Sequence, residues 1–471
     1  MYGIEHKLLA LIFSGGLLLQ AWIIRRWIGT YFVPAAFFPL AWGIFTIFPL
    51  VIMLDVPINA LAIGFIWLSA MAFSLSAIAF DWQYARRANK RKAILPTNFN
   101  SRFIRRWLYL SSILSFIFST WTLIINGWGI DEILFDILAT SGRFAAIRGN
   151  EGVEYGLIGT IGVFFTYLSP VLGGLVFSAQ RTTKARIGFF IVGMAPSIYT
   201  MVTQSSKLIF VIALCFFAST TMLTNIYKGR LALGGTRQLW KVLLAVLAIF
   251  PFVLVSFVSR EGYSDLSDLN DTVVLLKYAM SSYALGQVYA FADFFSFYLG
   301  MPSASVFKDD FGSMGAYTFA SVFDMLGIGK EFPPGSYEET GFFPEVFETN
   351  IFTVFRGLIL DFGAIGTLLF MFVVGLVANS FFYKLLVDRR PWLASTVYVA
   401  TIVTILLGYL ISTFMARYMY LNAIAVYAML TINARRQQRR RVRHDGPYDV
   451  RLSRLRDSCA SSVHAPRRID A

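Results

Sequence analysis

Residues 353–383 read TVFRGLILDFGAIGTLLFMFVVGLVANSFFY, a run in which only Arg356 and Asp361 carry charge. The run exceeds the roughly 20 residues that cross a hydrocarbon core of about 30 Å. Water is absent from that core, so every backbone N–H and C=O must be bonded internally, which leaves a helix or a closed barrel. Barrel strands alternate between apolar and polar positions, and this stretch does not. It predicts a membrane helix. Further apolar blocks extend the pattern to eleven predicted spans: 8–27, 31–53, 56–80, 107–127, 157–180, 187–204, 207–226, 241–259, 353–383, 392–411 and 413–432.

Composition agrees. Hydrophobic residues make up 57% and charged residues 14%, with mean hydropathy +0.63. Soluble domains carry nearer a quarter charged residues. The fold class expected is all-α, a polytopic membrane domain over 1–434 with a basic tail over 435–471. The tail lacks apolar periodicity, so disorder and attraction to an anionic leaflet are expected there. The first apolar block runs into Arg25-Arg26 without a small-residue cleavage site and reads as a retained helix. Two cysteines, Cys215 and Cys459, supply no disulfide framework. No internal repeat is visible.

A net charge of +14 would suggest nucleic acid in a soluble protein. In a membrane chain it reads as cytoplasmic anchoring, with no nucleic-acid partner. Cations cluster in alternate loops: Arg25-Arg26; Arg86 to Lys92 with Arg102, Arg105 and Arg106; Arg181 to Arg186; Lys228 to Lys241; Lys384 to Arg390; and the tail. The positive-inside rule puts these loops in the cytoplasm, the N-terminus outside and the C-terminus inside. Two acidic segments, 128–156 and 260–352, then lie outside. Within the second, the aromatic stretch 278–300 is nearly long enough to span. Crossing there would put the 384–390 cations and the tail outside, so a re-entrant or interfacial helix is predicted instead.

The chemical inventory excludes several classes. No Walker A loop or dinucleotide fingerprint is present, which removes an ATP-driven pump. The histidines are His6, His444 and His464, at the chain ends, so neither a histidine metal centre nor a histidine base is available in the outer segments. What the outer side offers is carboxylate, arginine and aromatic. Aromatic faces stack on sugar rings, carboxylates take protons from hydroxyls, and arginine forks bind phosphate.

The candidate outer cations are Arg143 and Arg148 in TSGRFAAIRGN (140–150), Lys207 in TQSSK, Arg260 in SFVSREG, Arg356, and Arg417 in STFMARYMYLN. Each also reads as an interface anchor or as the partner of a nearby acid. On a continuous helix Arg143 and Arg148 would point about 140° apart, so joint action requires a break near Ser141-Gly142 or another arginine. Asp361 lies inside a span, where an ionised group usually faces an interior partner. Asp293 sits in the aromatic stretch.

The stretch ETNIFTVFRGLILDFGAIGTLLFMFVVGLV (348–377) resembles the late membrane segment of bacterial oligosaccharide repeat-unit polymerases, the O-antigen polymerase class. The matching positions are Asn350, Thr353, Asp361, Phe362, Gly363 and Gly366. SGR followed by a second arginine, QSSK and ARYMYLN are looser matches. The resemblance implies a fold akin to lipid-dependent membrane glycosyltransferases and a reaction free of metal, nucleotide and cofactor. A glycan on undecaprenyl diphosphate would pass to a lipid-linked repeat unit on the periplasmic face of a bacterial inner membrane. Arg143, Arg148, Lys207, Arg260, Arg356 and Arg417 are the cations to meet the diphosphate, and Asp361, Glu154 or Glu348 the base. A flippase and a chain-length regulator of the same pathway are the implied partners. An O-antigen ligase, which resembles this plan but carries an outer histidine, a glycolipid flippase or secondary transporter, and an export scaffold are the rivals.

The topology is directly testable. Cysteines introduced at Arg91 and in the tail should react with an impermeant reagent only after lysis, and those within 131–154 and 301–349 on intact cells. Labelling of 301–349 only after lysis would show that 278–300 spans.

Overall fold

The computed structural model describes residues 3–92, 99–150, 156–231, 277–278, 281–308, 311–328, 337, 339–343, 346–388 and 390–444. Its helices are α1 (Ile4–Ile28), α2 (Pro34–Ile52), α3 (Ala60–Leu75), α4 (Trp82–Lys92), α5 (Arg102–Ile125), α6 (Ile130–Phe135), α7 (Ile137–Asn150) and α8 (Gly156–Ala179). They continue with α9 (Thr183–Thr203), α10 (Lys207–Tyr227), α11 (Gly286–Tyr298), α12 (Ala320–Met325), α13 (Val354–Val387), α14 (Trp392–Leu407) and α15 (Arg417–His444). One antiparallel hairpin, β1 (Gly341–Phe343) with β2 (Phe347–Thr349), interrupts the helical plan.

Among the described residues eight helices are long and apolar enough to cross a membrane: α1, α2, α3 with its 3-10 extension to Ala79, α5, α8, α9, α10 and α13. The chain is a multi-pass membrane protein on that basis. Helix α14 is apolar but shorter. Helix α15 begins with Arg417 and carries Tyr418, Tyr420, Asn422 and Tyr427 in its first half. The predicted span over 241–259 lies outside the described residues. The tail reading is corrected at its start, because α15 runs on through Arg435 to His444.

The alternation of loops along the sequence is also an alternation in space. At one end Thr30 Oγ1 donates to the Leu231 carbonyl at 2.6 Å, and the Tyr398 hydroxyl to that of Phe32 at 3.2 Å. Tyr227 meets Ser395 at 2.8 Å and Ser101 meets Asn433 at 2.7 Å. These contacts gather the basic loops together. At the opposite end Asn59 Nδ2 donates to Ser296 Oγ at 3.0 Å, the Val354 amide to the Gly408 carbonyl at 2.8 Å, and Ser141 meets Ser205 at 3.0 Å. The segments predicted to be outer share that end.

Lipid supplies no hydrophobic drive between helices, so packing rests on close approach and interhelical hydrogen bonds. A Cβ on Gly375 would stand 2.2 Å from the Phe73 carbonyl oxygen, so α13 lies directly on α3 only with glycine there. Helix α5 buries Ser111, Ser112, Ser115, Ser119 and Thr122. Ser115 bonds Thr166 at 2.6 Å, Ser112 the Val192 carbonyl at 3.2 Å, and Ser119 meets Thr200 at 3.3 Å. Lys7 is a further polar tie. Its ammonium donates to the Met53 and Val56 carbonyls at 2.8 and 2.7 Å and to the Tyr289 hydroxyl at 2.6 Å. A cation thus closes the electronegative end of α2.

Within the aromatic stretch a π-helical turn (Ser281–Leu285) runs directly into α11. Every residue from Gly286 to Ser296 is buried. Phe65 and Phe355 close on Phe295 and Phe291, with centroids 5.1 and 5.9 Å apart. The helix is enclosed by protein over Gly286–Ser296.

Helix α13 is broken. Gly363 adopts φ 65°, ψ 178°, a conformation essentially confined to glycine. Gly363→Ala should therefore lower stability by about 1–3 kcal/mol in chemical denaturation of the purified protein. An unchanged midpoint would mean that α13 is continuous.

Candidate functional site

The break at Gly363 frees backbone groups that outer segments then satisfy. The Ala364 amide donates to the Tyr298 hydroxyl at 3.1 Å, and the Leu360 carbonyl accepts from the Gly312 amide at 2.7 Å. One residue on, the Asp361 carboxylate is 3% exposed. It accepts from Ser313 Oγ at 2.6 Å, the Tyr317 amide at 3.0 Å and the Thr318 amide at 2.6 Å. A carboxylate is acceptor-only when ionised, and three donors meet it here. Asp361 finds the interior partner that the sequence demanded, and that partner is a loop, met through two main-chain amides and the Ser313 hydroxyl. In this geometry it clamps a loop.

Two more carboxylates hold the same loop. Asp293 on α11 accepts from the Ala304 and Ser305 amides at 2.6 and 2.9 Å. Glu339 accepts from the Lys308 amide at 3.2 Å. The segment from Ala304 to Thr318 is therefore fixed at three points by acids, each reached through its backbone.

Glu339 also accepts from Arg356 Nη2 at 2.8 Å. Arg356 is 2% exposed, and aromatic rings wall its guanidinium: the centroids of Tyr337 and Phe352 lie at 3.9 and 4.1 Å, those of Phe294 and Phe307 at 5.1 and 5.3 Å. Such contacts stabilise a desolvated cation. Among the described residues Nε and Nη1 have no hydrogen-bond partner. Burial alone would raise the Glu339 carboxyl, but Arg356 and the amides of Glu339 and Lys308 outweigh it and hold the group below its ordinary value. Burial pushes the Tyr337 hydroxyl up to about 12; Arg356 opposes that, while Asp361 and Glu339 add to it. The Tyr317 ring stacks on that of Tyr337 at 6.0 Å, so the loop clamped by Asp361 and the box around Arg356 are one assembly.

The remaining cations lie elsewhere. Arg143, half exposed, pairs with Glu132 at 3.4 Å and sits 5.1 Å from the Trp128 ring. Helix α7 has no break at Ser141-Gly142, so positions 143 and 148 stand about 140° apart around its axis. Lys207 opens α10 with its ammonium 4.9 Å from the centroid of Tyr283. Arg417 pairs with Asp324, both exposed. Glu348 is exposed on β2, and its carbonyl accepts from Ser282 Oγ. Arg260, Glu154 and the side chain of Arg148 lie outside the described residues. The structure thus joins Arg356 and Asp361 through the clamped loop, and Arg143 and Arg417 each stand with an acid of their own.

Sequence reasoning did not single out Lys7, Tyr298, Tyr337 or Glu339. A signal existed for Lys7, a lone lysine near an outer span end. Glu339 was one acid among many, and only the fold pairs it with Arg356. No family model, curated protein or solved structure matches the chain.

The clamp makes a sharp prediction for Asp361→Asn. An amide group turns an NH2 toward donors that the carboxylate accepted, which should weaken the loop by roughly 2–3 kcal/mol. Hydrogen exchange at the Tyr317 and Thr318 amides should quicken on the order of a hundredfold, if local opening governs it. Unchanged protection would remove the clamp.

Proposed function

We propose that this chain is a membrane glycan polymerase that works on lipid-linked oligosaccharides at the face opposite its basic loops, in O-antigen, capsule or exopolysaccharide synthesis. The observation that carries the reading is the coincidence of the resemblance with the built site. Asn350, Thr353, Asp361, Phe362, Gly363 and Gly366 fall where α13 begins, breaks and receives the outer loop, with Arg356 between them. The location at the bacterial inner membrane and the partnership with a flippase and a chain-length regulator belong to the same proposal.

The reaction needs few parts. The hydroxyl at the non-reducing end of one repeat unit attacks the anomeric carbon of the glycan on the other carrier. A new glycosidic bond forms, the bond from that carbon to the diphosphate oxygen breaks, and undecaprenyl diphosphate leaves with the electron pair. Cations that stabilise charge on the leaving diphosphate supply the main electrostatic effect. Arg356, Lys207, Arg417 and Arg143 are the described candidates, with Arg148 and Arg260 as further cations of the same face. A carboxylate takes the hydroxyl proton. Among the candidates Glu348 is exposed and Asp361 is saturated by its loop, so Glu348 is the described carboxylate better placed for that task. Glu154 remains the third. Exposed aromatic faces would stack on the sugar. The energy comes from the diphosphate ester, so no nucleotide is consumed.

Purified protein in detergent, given undecaprenyl-diphosphate-linked repeat units, should lengthen them without ATP, nucleotide sugar or divalent metal. Arg356→Lys keeps the charge and loses the planar fork. It should slow elongation by on the order of a hundredfold at matched protein amount. A strict requirement for a nucleotide-activated donor would remove the reading.

A further inference from the structure

Arg356 is an unusual buried cation. Its guanidinium has five N–H donors in a rigid fork. One nitrogen, Nη2, reaches Glu339, while Nε and Nη1 remain unbonded inside a box of four aromatic rings. A pair built only for structure would use two parallel bonds, which a carboxylate and a guanidinium readily form. The acid that answers Arg356 is divided between two tasks, since Glu339 also takes the Lys308 amide at 3.2 Å. Among the described residues the other two acid-paired arginines at this end, Arg143 and Arg417, are more than half exposed, so water already screens them. Arg356 is buried, and among the described residues no full set of acceptors satisfies its charge.

We infer that Glu339 is an internal anion seated in a phosphate-class site, and that an oxyanion ligand binds Arg356 by displacing it. A phosphate or diphosphate group offers several acceptor oxygens where the carboxylate gives one contact, so it can meet the unbonded Nε and Nη1 as well. Exchange of one anion for another keeps the buried guanidinium paired throughout, whereas a bare opening would strand a charge in a low-dielectric box. The aromatic walls hold the cation in place during the exchange. Glu339 stays ionised at neutral pH because Arg356 and two amides favour its charged form, so the latch is shut until a competing anion arrives. The inference rests on the proposed use of Arg356 toward a diphosphate and adds that Glu339 regulates access to it.

The test is equilibrium binding of inorganic diphosphate to the purified full chain in detergent. The wild type is compared with Glu339→Gln, which keeps the shape and removes the competing charge, and with Arg356→Gln. Affinity is reduced by the fraction of sites that are closed, so Glu339→Gln should bind about tenfold tighter or more, and Arg356→Gln should not bind. Hydrogen exchange on the wild type gives a second reading that needs no variant. The Lys308 amide, released when Glu339 leaves, should exchange faster with diphosphate bound. Equal or weaker binding by Glu339→Gln, undiminished binding by Arg356→Gln, or slower Lys308 exchange on binding each overturns the inference. None of these outcomes decides whether the protein elongates glycans, and a protein that binds diphosphate as described but never elongates would remove only the polymerase reading.

Discussion

Three buried or half-buried carboxylates organise the end of the molecule that carries the site. Asp293, Glu339 and Asp361 all spend their lone pairs on main-chain amides of one segment, Ala304 to Thr318. An ionised acid away from water must be met by donors, and a loop away from water must find acceptors for its N–H groups. Each requirement answers the other. Asp361 can stand inside α13 because the loop reaches in to it, and the loop can cover α13 because Asp361 is there. Removing either partner would leave the other buried and unmet.

The break at Gly363 follows from the same constraint. A continuous helix would consume the Ala364 amide internally; with the break, Tyr298 takes that amide and the 312–313 segment takes the Leu360 carbonyl. Irregular backbone at this depth is tolerated only where protein surrounds it. Helix α11, enclosed on nearly every side, supplies that surround and brings Tyr298, Asp293 and Phe294 to the site. The glycine contact between α13 and α3 and the serine stripe of α5 carry the bundle that presents this end.

Much of this was legible in the sequence, for physical reasons. The spans show because hydrocarbon imposes one length and one composition, and the two ends separate because lysine and arginine obey one bias. Asp361 stood out as a charge in an apolar run. The nature of its partner did not, because main-chain amides leave no residue signature. Arg143 and Arg148 were expected to act together only across a break near Ser141-Gly142 or with another arginine; α7 makes no such break, and Ser141 turns to Ser205. The re-entrant or interfacial reading of 278–300 rested on the charge of the loops that follow it; what no local pattern showed is that packing buries α11 against α3 and the hairpin. The pairing of Glu339 with Arg356, 17 positions apart, is set by how the hairpin returns the chain to α13, and no local pattern encodes it.

The account places the chemistry at the end built from α11, the hairpin and the start of α13. An undecaprenyl diphosphate bearing a photoreactive group beside its diphosphate, activated on the purified protein and mapped by peptide sequencing, locates the ligand. Labels concentrated in residues 281–308 and 339–361, and lost to competition by unlabelled carrier, are the predicted result. Labels at the basic loops, or a pattern that unlabelled carrier does not displace, would contradict it.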